Sequence, residues 1–286
     1  MRRQPPLRAG GLGRDDGPWW TVVSGPSYLQ FHVAFIVPAL SMLAAAAVVS
    51  RTRTSRRTVW SVGAHSYWVG VAVVTLLAVV YTTPWDNYLI SQGVWGYGEG
   101  QTLVRFGLAP LGEYLFFVLQ PILTALWLGQ LTLRDGWPTP EPLARDATGA
   151  RIDWAALSVG PRVAGGAAAG LLGAAGLVLG STTSTFYLGA ILAWSAPVLF
   201  IQWVVGLPQL LHQRRVVAVG VAVPTLYLWV VDRVAIATGI WHISAEHTTG
   251  LDIVGLPVEE ALFFAVTNLF VVQGLVLFQW VMDRWG

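Results

Sequence analysis

The chain has 286 residues, 55% of them hydrophobic and 11% charged, with a mean hydropathy of +0.59. Repeated apolar stretches long enough to cross a bilayer exclude an ordinary soluble domain, and the lack of cysteine excludes disulfides and thiol chemistry. The net charge of +2 comes with basic residues that are all arginine, clustered between apolar runs, a pattern of membrane orientation and not of nucleic-acid binding.

In chain order, residues 1–26 form a polar tail with Arg2, Arg3, Arg8 and Arg14 but no apolar core, unlike a signal peptide. The first expected span is Tyr28–Val49, followed by Arg51, Arg53, Arg56 and Arg57. The second, Ser66–Ile90, carries Trp85, Asp86 and Tyr88 near its end, and the loop beyond holds Trp95, Tyr97 and Arg105. The third, Pro110–Leu133, has Glu113 in its first turn and Phe116 and Phe117 just after. Residues 134–162 are polar and proline-bearing, with Arg134, Arg145, Arg151 and Arg162, and read as a cytoplasmic linker. The fourth span, Val163–Leu179, is rich in glycine and alanine, which permits close helix contact. The fifth is Phe186–Leu207, followed by Arg214 and Arg215, and the sixth, Val216–Ile240, has Asp232 well inside it. The seventh, Pro257–Val281, opens with Glu259 and Glu260 and continues to Phe263 and Phe264. The expected fold is therefore an all-α integral membrane protein of seven transmembrane helices, each long enough for about 30 Å of hydrocarbon. Arginine placement puts the N-terminus outside the cell membrane and the C-terminus in the cytoplasm.

The sequence repeats internally. WDNYLISQGVWGY (85–97) lies over VDRVAIATGIWHI (231–243), so Asp86 meets Asp232, Gly93 meets Gly239 and Trp95 meets Trp241. PLGEYLFF (110–117) lies over PVEEALFF (257–264), and YLQFHVAFIVP (28–38) more weakly over YLGAILAWSAP (187–197). Two three-helix units, residues 27–133 and 181–286, are thus expected to run parallel, joined by the extra helix at 163–180. Parallel repeats place a site at their interface or one in each half.

The acids are the chemistry-bearing residues. Asp86 and Glu113 in one half, and Asp232, Glu259 and Glu260 in the other, all fall toward the outer side of the bilayer. First-turn glutamates behind Pro257 also suit the helix dipole, a term of roughly 0.3–1 kcal/mol. Capping does not explain an aspartate inside an apolar run, and intramembrane carboxylates are functional candidates by default. A carboxyl among apolar groups beside another carboxyl holds its proton to higher pH and can donate it to a substrate. Aromatic residues crowd these acids. Some belong to an interfacial belt, but π faces also stabilise a passing cation, with Trp95 and Trp241 the leading candidates. His242, Glu246, His247 and Asp252 offer a weak metal pattern with no counterpart in the first half. Arg233 either snorkels or pairs with Glu259 or Glu260.

An embedded Asp, then Gly-[IV]-Trp, then Pro-x-Glu-Glu-x-x-Phe-Phe together resemble the membrane-integral lycopene cyclases of archaea, actinobacteria and fungi, in the form whose two small subunits are fused. The resemblance runs from Tyr28 to Trp280. It implies redox-neutral conversion of lycopene to beta-carotene via gamma-carotene, without a cofactor or metal: an acid protonates the terminal double bond, the next double bond closes a six-membered ring, and a proton leaves. It also implies catalytic acids at Glu259, Glu260 and Glu113, with Asp232 and Asp86 tuning them or accepting the proton, and a polyene lined by Trp95, Tyr97, Phe117, Trp241 and Phe264. Gly112 stands where the first glutamate of the motif is often found, so a single site centred on the second half is expected. Expected partners are carotenoids, membrane lipid and other enzymes of the carotenoid pathway, and no nucleic acid.

Other classes fit less well. A retinal photoreceptor needs a Schiff-base lysine, and the chain has none. A membrane prenyltransferase needs aspartate-rich Mg²⁺ sites, and the sole adjacent pair, Asp15–Asp16, lies in the polar tail. A proton-coupled transporter shares the repeats and buried acids but not the aromatic crowding. A carotenoid cyclase making ε or γ rings, or acting on C50 chains, stands as the nearest alternative.

Overall fold

The computed structural model describes residues 27–53, 64–131 and 159–285. The polar tail, the arginines at 56–57 and most of the 134–162 linker lie outside the described residues. Among the described residues, seven helices are long and apolar enough to span a membrane, and their limits fall within a few residues of those expected.

The first span begins at a capping box. Ser27 Oγ accepts from the Gln30 amide at 3.3 Å, while Ser27 N donates to Gln30 Oε1 at 2.8 Å. It then runs through α1 (Tyr28–Phe31), a π-helical stretch (His32–Ile36) and α2 (Val37–Arg53). α3 (Ala64–Ser91) leads into β1 (Trp95–Tyr97), a hairpin of β2 (Arg105–Phe106) and β3 (Ala109–Pro110), then α4 (Leu111–Leu131). α5 (Val159–Leu179) packs along α6 (Phe186–His212), where Gly176 lies so close to the Ala193 backbone that a Cβ would collide. After α7 (Arg214–Ala237) the earlier order returns: β4 (Trp241–Ile243), a hairpin of β5 (Asp252–Ile253) and β6 (Leu256–Pro257), then α8 (Val258–Trp285).

The sixth span ends at Ala237, three residues before the expected Ile240. Gly239 adopts φ +72°, its N–H bonds to the Ile236 carbonyl, and the Ile240 N–H reaches back to Ala235. Gly93, at φ +71°, does the same after α3, with Val94 reaching back to Leu89. Both ends are Schellman caps, which favour glycine because φ is positive. Each cap turns the chain directly into a short strand. β1 and β4 then pair antiparallel, Trp95 opposite Ile243, Gly96 opposite His242 and Tyr97 opposite Trp241. Three residues are too few to show alternation, so neither strand is visible in the sequence pattern.

At mid-depth Asn268 of α8 ties three helices together. Its Oδ1 accepts from Gln120 and Thr124 of α4, and its Nδ2 donates to Thr225 of α7 at 3.1 Å. All four side chains are buried, and in hydrocarbon such groups need one another.

Candidate functional site

The ends of α3 and α7 and the starts of α4 and α8 meet under the β1–β4 ribbon, around a chamber of about 50 Å³. Asp86, Glu113, Asp232 and Glu260 all line it. Local structure explains why four carboxyls converge. The two hairpins return the chain so that α4 and α8 begin beside the ends of α3 and α7, with Pro110 and Pro257 closing the hairpins immediately before each helix. First-turn acids then sit at positive helix ends, which favour negative charge.

Each glutamate is held by tyrosine. Tyr28 and Tyr97 both donate to Glu113 Oε1, at 3.0 and 2.9 Å. Tyr187 donates to Glu260 Oε1 at 2.7 Å. Burial, and then the Glu113 carboxyl, hold the Tyr97 proton well above a free phenol's range, so Tyr97 remains a donor. Asp86 and Asp232 are each 2% exposed, and each has one carboxyl oxygen without a hydrogen-bond partner. The Trp241 indole reaches the Asp232 carboxyl.

Aromatic rings complete the walls, and they cross between halves. Trp95 packs on Tyr187 at 5.3 Å, and Trp241 on Tyr28 at 4.9 Å. Phe117, Phe264 and Tyr97 line the chamber as well, joined by Phe116 and Phe263. Trp85 lies just behind, stacked on Trp194 at 4.6 Å and on Phe263 at 5.7 Å.

Of Asp86, Glu113, Asp232, Glu259 and Glu260, Glu259 alone is absent from this lining. It is fully buried, but its Oε1 accepts from the Thr249 amide at 2.7 Å and hydroxyl at 2.8 Å, in the loop before the β5–β6 hairpin. Adjacent helix residues point about 100° apart, so only one of the pair can face the chamber. In the first half the position of Glu259 is taken by Gly112, and a Cβ there would run into the Tyr28 ring. The asymmetry of the motif thus follows from packing: Tyr28 occupies the space a first glutamate would need.

Tyr28 and Tyr187 were not picked out as site residues in the sequence. The available signal was their superposition in the weak alignment of the first and fifth spans. Arg233 pairs with neither glutamate; its Nε donates to the Val254 carbonyl in the β5–β6 turn, at the exposed surface. His247 contacts Ser244 Oγ, and among the described residues no cluster of His, Asp or Glu is placed to hold a metal ion.

Fold and site together describe an integral membrane protein built around a buried, aromatic-walled carboxyl chamber. The profile of the lycopene cyclase family matches residues 35–128 and 182–278, and the chain belongs to that family. It is similar to the lycopene beta-cyclase of Halobacterium salinarum, with 46% identity over 91% of this chain and 98% of that protein. The bifunctional lycopene cyclase/phytoene synthases of Arthroderma gypseum and Gibberella fujikuroi are 35% and 32% identical over 88% of this chain, which spans 41% and 40% of their lengths. No solved structure matches the chain.

Proposed function

We propose that this protein converts lycopene to beta-carotene, by way of gamma-carotene, through acid-catalysed ring closure in the carboxyl chamber. The observation that carries this is the meeting of Asp86, Glu113, Asp232 and Glu260 among aromatic rings at the hydrocarbon edge. The name of the Halobacterium relative supports the substrate and ring type.

Glu260, with one hydroxyl donor, supplies the proton to the terminal double bond of the polyene. The tertiary cation that forms is attacked by the next double bond, which closes the ring and moves the charge onto a ring carbon. Trp95, Trp241, Phe117 and Phe264 offer π faces to that charge. Glu113, whose negative charge two tyrosine hydroxyls stabilise, takes the proton lost from the ring. One proton enters and one leaves, so the step is redox-neutral. Asp86 and Asp232 set the field around the glutamates, and Glu259 fixes the Thr249 loop and not the substrate. Exclusion of water keeps the cation from being captured as an alcohol.

The recurring order of helix, strand, hairpin and helix, and the two separate family matches, support a duplicated three-helix unit joined by α5. The chamber end of the bundle then faces outward, with the arginine-rich connections in the cytoplasm. The test is a pigment chromatogram from lycopene-accumulating cells expressing the chain. Beta-carotene from the wild type and unchanged lycopene from Glu260→Gln is the expected result. Unchanged lycopene from well-expressed wild type contradicts the assignment.

A further inference from the structure

A second cavity, apolar and about 340 Å³, lies between α3 and α6 with α4 and α8 as its floor. We propose that it holds the unreacted length of the polyene while one end of that molecule sits among the acids; this rests on the assignment of a linear polyene as substrate.

Size comes first. The acid chamber, at about 50 Å³, has room for only a few heavy atoms. The cleft falls within the roughly 300–1,000 Å³ of small-molecule sites. Phe116, Phe117 and Phe263 line both spaces, so a chain in the cleft reaches the acids along the faces of these three rings. The cleft also opens in the right direction. Its rim residues Leu77 on α3 and Ile201 on α6 are 59% and 62% exposed, on helices that face lipid. A hydrocarbon dissolved in the bilayer therefore enters sideways without crossing water. The amide donors of Gln120 and Gln202 are committed to Asn268 and the Phe270 carbonyl; Gln202 Oε1 is left without a partner, and the rest of the wall is mostly apolar.

The cleft lies on the α3–α6 side of the bundle. At its chamber end, Tyr81 donates to the Trp194 carbonyl at 2.8 Å and stacks on the Trp194 ring at 5.6 Å. Across the bundle, Tyr227 donates to the Phe35 carbonyl at 2.7 Å in the corresponding place. There the interior is filled by the packed side chains of Phe31, Ile36, Leu228 and Phe264. A chain entering from α3 and α6 presents one end at a time. The second end is closed only after the one-ringed product leaves and returns reversed.

The test fills the cleft. Ala78→Trp narrows its wall, and Leu77→Trp with Ile201→Trp closes its rim at lipid-facing positions that tolerate bulk. Each is made in the wild type, to read conversion, and in Glu260→Gln, to read lycopene retained per purified protein in detergent. Melting temperature and gel filtration check the fold. The expected result is a fall of about tenfold or more in both readouts, for folded protein. Folded variants that convert and retain lycopene like their parents overturn the proposal and leave the cyclase assignment standing. A wild type that retains lycopene without converting it, and loses it when the cleft is filled, overturns the cyclase assignment and leaves the cleft standing.

Discussion

Gly112→Ala probes the packing of Tyr28 beside Glu113. A Cβ at Gly112 lands on the Tyr28 ring, touching three of its carbons. That ring has little room to yield. It is 4% exposed, packed on Trp241 at 4.9 Å and on the His32 ring at 4.9 Å, and bonded through its hydroxyl to Glu113. Overpacking of this kind costs about 1–3 kcal/mol, offset in part by the up to ~1 kcal/mol that alanine gains over glycine in a helix. If the ring swings away instead, the hydrogen bond to Glu113 is lost, worth about 1.5–3 kcal/mol when the acceptor is charged. At 1.36 kcal/mol per factor of ten, that predicts a loss of about tenfold or more in ring closure. The assay is cyclisation of lycopene by purified protein in lipid vesicles, with a thermal melt in parallel. Activity and melting temperature equal to the wild type would refute the account of Gly112 and of the Tyr28–Glu113 pair.

Four further outcomes are expected. Tyr187→Phe removes the single hydroxyl donor to Glu260, and should slow ring closure by about tenfold while leaving the melting temperature within a few degrees, since one hydrogen bond contributes roughly 0.5–1.5 kcal/mol. Glu259→Gln should retain far more activity than Glu260→Gln, because its carboxylate serves Thr249 outside the chamber; equal loss in both, measured by chromatography, would return Glu259 to the catalytic set. Asn268→Leu should unfold at a distinctly lower temperature, as it strands Gln120, Thr124 and Thr225 in hydrocarbon at about 1–3 kcal/mol for each unsatisfied group. In a short reaction with excess labelled lycopene, one-ringed product should appear free before two-ringed product, and unlabelled one-ringed carotenoid should compete with it; two-ringed product formed without exchange would contradict the one-sided cleft.

Much of the architecture was legible in the sequence because the bilayer imposes a length and a polarity on every span. The seven helices follow from that alone. The acids and tryptophans followed from the repeat: Asp86 over Asp232, and Trp95 over Trp241, fall at the same turn of α3 and α7 or in the strand just beyond. What stayed hidden depends on direction and packing. Glu259 and Glu260 are neighbours in sequence, and nothing local says which faces the interior; the choice is set by Thr249, ten residues away. Tyr28 and Tyr187 sit at the starts of spans, where tyrosine ordinarily reads as interfacial. Their roles depend on Glu113 and Glu260, 85 and 73 residues away. The cleft between α3 and α6 is a property of helix placement, which the sequence of no single helix shows.

The central claim is that a proton from the chamber, and no redox step, closes the ring. The most direct measurement is the mass of carotenoid formed in D₂O by the protein in lipid vesicles. A proton added at one carbon and lost from another predicts one deuterium retained for each ring closed, in the one-ringed and the two-ringed product alike. Product free of deuterium, formed at the normal rate, would contradict protonation by a solvent-exchanging acid and with it the role given to Glu260.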